Sequence, residues 1–549
     1  MNRPLLRLAA TFGAAGALAG TTVLHADATP ARPHRAAAQH VLLISVDGLH
    51  QADLDRYTAR HPHSALARLA HGGVQYTHAS TTTPSDSFPG MTAQVTGGGP
   101  GTTGVYYDDS YDRTLLPAGT TDCAKAVPGA EVDLTEDLDK DKSALDAGQG
   151  LTGLPGSILR MTGNPGTLLN PAALPVDPKT CKPLAPHSYL RVNTVFDVAR
   201  RAGLRTAWSD KHAAYDILQG PSGQGIQDLF TPEINSDATG YAKGTDWTKD
   251  NKATRQYDDY KVQAVRNEID GYDHSRGHRT GTPAVFGLNF QSVSTAQKLP
   301  ASDGLKGGYT AKGVPGPLVE ASIDFVDSEL GSLLAELKAR HLDTSTTVIL
   351  SAKHGQSPTD PAALTRIDDA PLLAGLGAAW KKAHPGAGPL VAHSADDDGM
   401  MLWLTDHSQA AADFAKAYLL AQHGTGTDID AKPKPFTASG LTKAYAGREA
   451  ARYFGVRTGD ARVPDVFGIA REGVVYTGGT KKIAEHGGAN ADDLDVPLVV
   501  SGAGTPAGVR EEGRVHTTQI APTILALLGL DPRDLQAVRR EHTRVLPVR

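Results

Sequence analysis

Val41-Leu42-Leu43-Ile44-Ser45-Val46-Asp47-Gly48 is a nearly unbroken apolar run that stops at a carboxylate and a glycine. A run of that kind is how a buried parallel strand delivers a polar group to the edge of a sheet, where α/β proteins place their sites. It predicts an α/β fold and makes Asp47 the first candidate ligand. Downstream, Thr82-Thr83-Pro84-Ser85-Asp86-Ser87-Phe88-Pro89-Gly90-Met91-Thr92 presents a hydroxyl cluster before Phe-Pro and a Gly-containing turn. That pattern suits a nucleophile, Ser87, at a strand-to-helix junction whose backbone N–H groups face an anion. Neither stretch is specific alone, because Asp-Gly after a strand is commonly a plain turn and a Ser/Thr cluster before Phe-Pro a capped loop.

The rest of the chain repeats the alternation. A helix over Ala52 to Gly72 packs back on the first strand, and a second strand, Leu204 to Trp208, ends in Ser209-Asp210-Lys211-His212. The strand Ala284 to Phe290 ends in Gln291-Ser292. Apolar residues at Ile323, Val326, Leu330, Leu333, Leu334 and Leu337 after Pro315 mark an amphipathic helix, which leads to Thr346 to Ser351 and then Ala352-Lys353-His354-Gly355-Gln356. The core is expected to return through Asp465-Val466-Phe467, Val474 to Tyr476, the turn Ala484-Glu485-His486-Gly487-Gly488 and the strand Val496 to Ser501, and to close on a helix around Ile520 to Leu528. The Gly- and Pro-rich stretches at about 107–190 and 360–450 read as insertions in a single catalytic domain over 39–549.

The bulk properties narrow the function. With 54 basic and 60 acidic residues, the chain has no basic excess and no basic stripe of the kind that binds nucleic acid or anionic membranes. Met1 to Arg7 is basic, Leu8 to Leu24 is apolar and rich in small residues, and Ala26-Asp27-Ala28 follows. This is the pattern of a cleavable signal peptide over 1–28, followed by a Pro/Ala/Arg linker over 29–38, so an exported protein is expected. No other segment is apolar for long enough to span a bilayer. In an exported chain Cys123 and Cys181 are permissive for a disulfide, with two free buried thiols as the alternative.

Asp47, Ser87, Lys353-His354-Gly355, His486-Gly487 and the terminal Thr518-Gln519-Ile520-Ala521-Pro522-Thr523-Ile524-Leu525 resemble, in order and spacing, the type I phosphodiesterase/nucleotide pyrophosphatase family of the alkaline phosphatase superfamily. The resemblance implies an alkaline-phosphatase-like three-layer α/β/α sandwich with a mostly parallel central sheet and inserted cap segments. In that family two zinc ions flank a Thr or Ser nucleophile. Asp47, Ser87, His354 and His486 match its ligands, whereas the Asp of its Asp-His pair falls on Lys353 and its Asp-x-x-x-His pair on Gln291 and Thr295. Its phosphoryl-binding Asn falls on Asp108.

These departures alter the charge balance. Two dications plus an ammonium against Asp47 alone would leave a large uncompensated charge in a partly dry cleft. The expectation is therefore one divalent ion, zinc, on Asp47, Ser87, His354 and His486, with Lys353 as the second positive charge. Two ions are the alternative where Asp210, Asp108, Glu485 and Asp492 supply the balance; His212 is a further candidate site residue. The expected activity is phosphodiester hydrolysis through a phosphoseryl intermediate, on a small phosphate ester or a headgroup. A phosphonate or sulfate ester hydrolase, and an exported binding protein that kept the scaffold without the chemistry, are the competing readings. Trp208, Tyr106, Tyr107 and Tyr215 are candidates to stack on a leaving group, although isolated aromatics are more often core.

Overall fold

Eight strands form the central sheet of the computed structural model: β1 (His40–Val46), β2 (Gly73–Ser80), β3 (Ala207–Ser209), β4 (Asp228–Phe230), β5 (Val285–Phe290), β6 (Thr346–Ser351), β7 (Asp495–Gly502) and β8 (Val509–His516). Their spatial order is β8-β2-β7-β6-β1-β5-β3-β4. All run parallel except β7, which is antiparallel to both of its neighbours. Residues 36–237 and 246–547 are described. The leader expected over 1–28 lies outside them, as does the linker expected over 29–38 apart from its last three residues.

The apolar run of β1 is continuous because it is covered on both faces. Leu42, Ile44 and Val46 point into one layer, against α1 (Gln51–Arg60), α2 (Ala65–His71), a long helix Asn251–Ile269 and the amphipathic helix Pro317–Ala339. Val41 and Leu43 point into the other, against α3 (Ser87–Thr96), the helix Val195–Arg201 and the helix Ile520–Leu527. Alternate residues of one strand thus feed two separate cores, which makes three layers. Registers Leu43↔Gly287 and Leu43↔Ile349 centre β1 between β5 and β6, so the ends of these strands, Asp47, Gln291 and Lys353, arrive side by side.

The second insertion builds two accessory four-stranded sheets. Val466–Ala470 pairs with Gly399–Leu404, and Val474–Tyr476 pairs with Thr365–Ile367. The expected return to the central sheet at Val466 is therefore corrected: these strands carry the apolar look of core strands because they are buried in the accessory sheets instead. The helix expected over Ala52 to Gly72 is two helices, broken at His61-Pro62-His63, where Pro62 disfavours helical backbone at the residue before it. No helix of the described residues is long and apolar enough to cross a membrane.

Within the first insertion, Cys123 and Cys181 form a disulfide with Cα atoms 5.9 Å apart, across 58 positions of sequence. The surrounding segment consists of short hairpins and single turns with little regular structure of its own. Loop-closure entropy for a bridge of this span is about 4 kcal/mol. Replacing both cysteines by serine is expected to lower the unfolding free energy by up to about that amount, read from denaturant midpoints under non-reducing conditions.

Candidate active site

α3 brings the nucleophile in. Asp86 caps the helix by accepting from the Phe88 backbone N–H at 3.1 Å, and Ser87 is the first helical residue, 1% exposed. A hydroxyl in that position sits at the positive end of the helix dipole. The close approach of α3 to β6 requires Gly90, since a Cβ there would lie 2.1 Å from the Lys353 carbonyl oxygen. Ser87 Oγ is 3.3 Å from His354 Nε2. The Nδ1 of His354 donates to the Gly355 carbonyl at 2.8 Å, which leaves the lone pair on Nε2.

Asp47 is fully buried. Its Oδ2 accepts from Gln291 Nε2 at 2.7 Å and Asn289 Nδ2 at 3.2 Å, and lies 3.6 Å from His354 Nε2 and 3.9 Å from Lys353 Nζ. Its Oδ1 has no partner. Burial works to raise the carboxyl's pKa, but the Lys353 ammonium, with His354 and Lys211, outweighs it and holds Asp47 well below the usual carboxylate range.

Lys353 is also fully buried and does not reach the cavity. Its Nζ donates to Asp210 Oδ1 at 2.8 Å and to the Tyr215 hydroxyl at 2.5 Å, and sits 4.2 Å from the Tyr215 ring centre. Asp210 in turn accepts from Trp208 Nε1 and from the Lys211 backbone N–H, each at 2.9 Å. Lys211, by contrast, lines the cavity, as do Lys249, Lys298, Lys481 and Lys482. Against the cost of burial, Asp47, Asp210, Asp86 and Asp108 raise the pKa of Lys211. The cavity holds about 480 Å³, and residues of both insertions, Glu136 and Asp397 among them, complete its wall.

The remaining expected residues fall into different places. His486 packs against His354 with ring centres 3.9 Å apart and planes tilted by 35°, and its Nδ1 is 3.3 Å from Asp86 Oδ1. Asp108 lines the cavity, and burial together with Asp86 and Asp397 pushes its carboxyl well above the usual range. Glu485 is taken by Lys298 at 2.5 Å and Lys482 at 3.5 Å, which against the opposing effect of burial hold it down to about 2. Asp492 accepts from the Thr359 backbone N–H and does not line the cavity. His212 lines it, with Nδ1 turned to Glu233. Trp208, Tyr106, Tyr107 and Tyr215 are all buried, and the only aromatic ring on the described cavity wall besides histidines is Phe88. Tyr215 instead accepts from Lys353 Nζ and packs on the Phe88 ring, centres 4.5 Å apart. Asn289 and Glu233 were not foreseen; Asn289 alone had a signal, a polar residue near the end of an apolar strand.

One divalent ion fits this donor set and a second does not. Ser87 Oγ, His354 Nε2 and the Asp47 carboxylate converge at separations of 3.3 and 3.6 Å, close to the roughly 3.3 Å edge of a tetrahedral zinc site with bonds of about 2.0 Å. The partnerless Asp47 Oδ1 adds an unused lone pair. At the other set of positions Gln291 points an N–H at Asp47, and Thr295 Oγ1 is engaged with Asn251 Nδ2 at 2.9 Å and the Ser292 carbonyl at 3.1 Å. Neither offers a charged ligand.

A hydroxyl at a helix N-terminus beside an imidazole and a buried carboxylate, with a lysine-lined cavity adjoining that carboxylate, is an arrangement suited to hydrolysis of anionic esters. The profile of the type I phosphodiesterase / nucleotide pyrophosphatase family matches residues 41–491, and the chain belongs to that family. It is a phosphoester hydrolase of the phosphodiesterase/pyrophosphatase type. Among solved structures it is similar to murine ectonucleotide pyrophosphatase / phosphodiesterase 5 at 13% identity and TM-score 0.54, over 90% of this chain and 96% of that one. An inactive form of that enzyme in complex with AMP gives a TM-score of 0.53 at 13% identity, over 90% and 96%. The alkaline phosphatase PafA is similar at 15% identity and TM-score 0.57, over 89% and 96%. These likenesses establish the alkaline-phosphatase-like fold. No curated protein matches the sequence.

Removing the Lys353 charge would leave Asp47 and Asp210 buried without it. Lys353→Met is expected to cost about 3–5 kcal/mol of unfolding free energy. Because the folded pKa of Asp47 is depressed, its contribution is present above the unfolded value near 3.9 and is lost as pH falls below it. In Lys353→Met that acid-side loss should begin at higher pH, as measured by urea denaturation from pH 3 to 7.

Proposed function

We propose that this chain is an exported phosphodiesterase that works through a covalent intermediate on Ser87, with one divalent ion, zinc, held by Asp47, Ser87 and His354 and flanked by His486. The observation that carries the reading is the convergence of Ser87 Oγ, His354 Nε2 and Asp47 at the N-terminus of α3. When bound, the ion supplies a Lewis acid that lowers the pKa of the hydroxyl it touches.

The chain's own groups do the rest. The α3 N–H groups face the position of the transferred phosphoryl group, and Lys211 supplies positive charge to its equatorial oxygens, where phosphoryl transfer gains most from electrostatics. Asp108 occupies the wall where the family has an amide; burial and its acidic neighbours push its carboxyl well above the usual range, which favours an O–H donor in place of the amide N–H. Lys353 is a positioning residue that fixes Asp47, Asp210 and Tyr215 without touching substrate. The mixed Lys and carboxylate wall, with Phe88 as its one apolar ring, favours a polar leaving group held by charge over a base held by stacking.

Ser87→Ala in the secreted protein is expected to lower kcat on bis(4-nitrophenyl) phosphate by at least about 10³-fold. Elemental analysis of the same preparation should give one zinc per chain. Undiminished turnover would remove Ser87 from the mechanism, and two ions per chain would overturn the single-ion assignment.

A further inference from the structure

His212 leaves β3 with φ 56° and ψ 141°, a backbone conformation that side-chain-bearing residues rarely adopt. Strain of this kind persists where the surroundings over-determine it, and here three residues do so. The Nδ1 of His212 donates to Glu233, 2.7 Å from Oε2 and 3.0 Å from Oε1. Glu233 is 0% exposed and also accepts from the Asn235 backbone N–H at 2.7 Å. On the backbone side, Asp139 Oδ1 accepts from the N–H of Ala213, the residue after His212, at 3.0 Å. Imidazole and backbone are therefore clamped from two sides.

The clamp sets the chemistry of the ring. With Nδ1 donating, the lone pair is on Nε2. Burial, reinforced by Lys211, pushes the imidazole down to about 4, so it is uncharged at neutral pH. Burial pushes Glu233 up to about 8, and burial with Glu233 pushes Asp139 up to about 9, so the acid pair retains protons behind the ring. Among the described residues nothing hydrogen-bonds Nε2, and His212 lines the cavity that Asp47, Phe88 and His486 also line. It meets the cavity from the β3–β4 side, and Phe88, the residue after Ser87, meets it from the α3 side.

Turnover of a covalent adduct on Ser87 needs a water stripped of a proton on the side the leaving group has left. Gln291 and Thr295 cannot hold an ion there, so a side chain must accept that proton. We propose that His212, oriented by Glu233 and Asp139, is the general base of the second half-reaction. This rests on the covalent reading above. The water oxygen bonds to phosphorus, its proton goes to His212 Nε2, and the bond from phosphorus to Ser87 Oγ breaks with its electron pair on Oγ. The proton then returns to Oγ through the solvent of the cavity. His212 is catalytic in this scheme, and Glu233 and Asp139 are positioning residues.

The test uses the full chain and bis(4-nitrophenyl) phosphate. His212→Gln is expected to release about one equivalent of 4-nitrophenolate per chain in a burst, then turn over about 10²–10⁴-fold more slowly than the wild type. Acid-quenched protein should carry a 4-nitrophenyl phosphoryl group on Ser87 by peptide mass spectrometry. His212→Gly tolerates the positive φ, so it guards against misfolding of the glutamine variant, and added imidazole should restore its slow phase. Glu233→Gln should accumulate the same adduct with a smaller rate loss. Wild-type steady-state rates in both His212 variants, or a rate loss with no adduct on Ser87 and no imidazole rescue, would overturn the assignment. Failure of the covalent reading itself shows separately, as full turnover in Ser87→Ala.

Discussion

A single buried ammonium organises the carboxyl edge of the sheet. Lys353 extends from the end of β6 past Asp47 at the end of β1 to Asp210 at the end of β3, and so ties strands that are not neighbours. Burying these three charges is tolerable because each has partners: Asp47 has two amide donors, Asp210 an indole and a backbone N–H, and Lys353 a phenol besides its carboxylates. The consequence is positional. Asp47 cannot swing away from His354, nor Tyr215 from Phe88, so the atoms that must meet substrate are fixed before it arrives.

The parts legible in the sequence were those where one residue type has one physical use. An apolar run ending in Asp47 reads as a doubly covered strand, and Lys353-His354-Gly355 after another such run places those residues at the same edge. β2, Gly73–Ser80, was not legible, because Gln75, Thr77, His78 and Ser80 interrupt its apolar pattern and its buried Gln75 is satisfied by Asp55. β8, Val509–His516, carries Arg510, Glu511, Glu512 and Arg514 because it is an edge strand with one row of backbone groups free, and charged edges resist unwanted pairing. Val466–Ala470 misled for the opposite reason: it is as apolar as a core strand because the insertion has a core of its own. The role of Lys353 was half legible. Its charge was expected at the site, but sequence spacing cannot show that Asp210 and Tyr215 take two of its three donors and keep it off the cavity wall, where Lys211 is among the lysines present.

The three departures from the family's ligand pattern form one coherent electrostatic change. The resemblance implies three carboxylates facing two dications, a net charge of about one positive unit. Here a single dication with Lys353 and Asp47 would carry about two, and Asp210, bonded directly to Lys353, restores the balance. Gln291 and Thr295 complete the exchange by being neutral: a carboxylate in place of Gln291 would meet Asp47 Oδ2 with lone pairs where the amide now donates at 2.7 Å. Lys353 and Gln291 are therefore compatible with each other, each presenting positive or donor character to Asp47. Under the proposed single-ion reading, activation of water falls to a side chain. His212, a cavity-lining imidazole whose Nδ1 is held by buried Glu233, comes with that carboxyl from the β3–β4 end of the sheet.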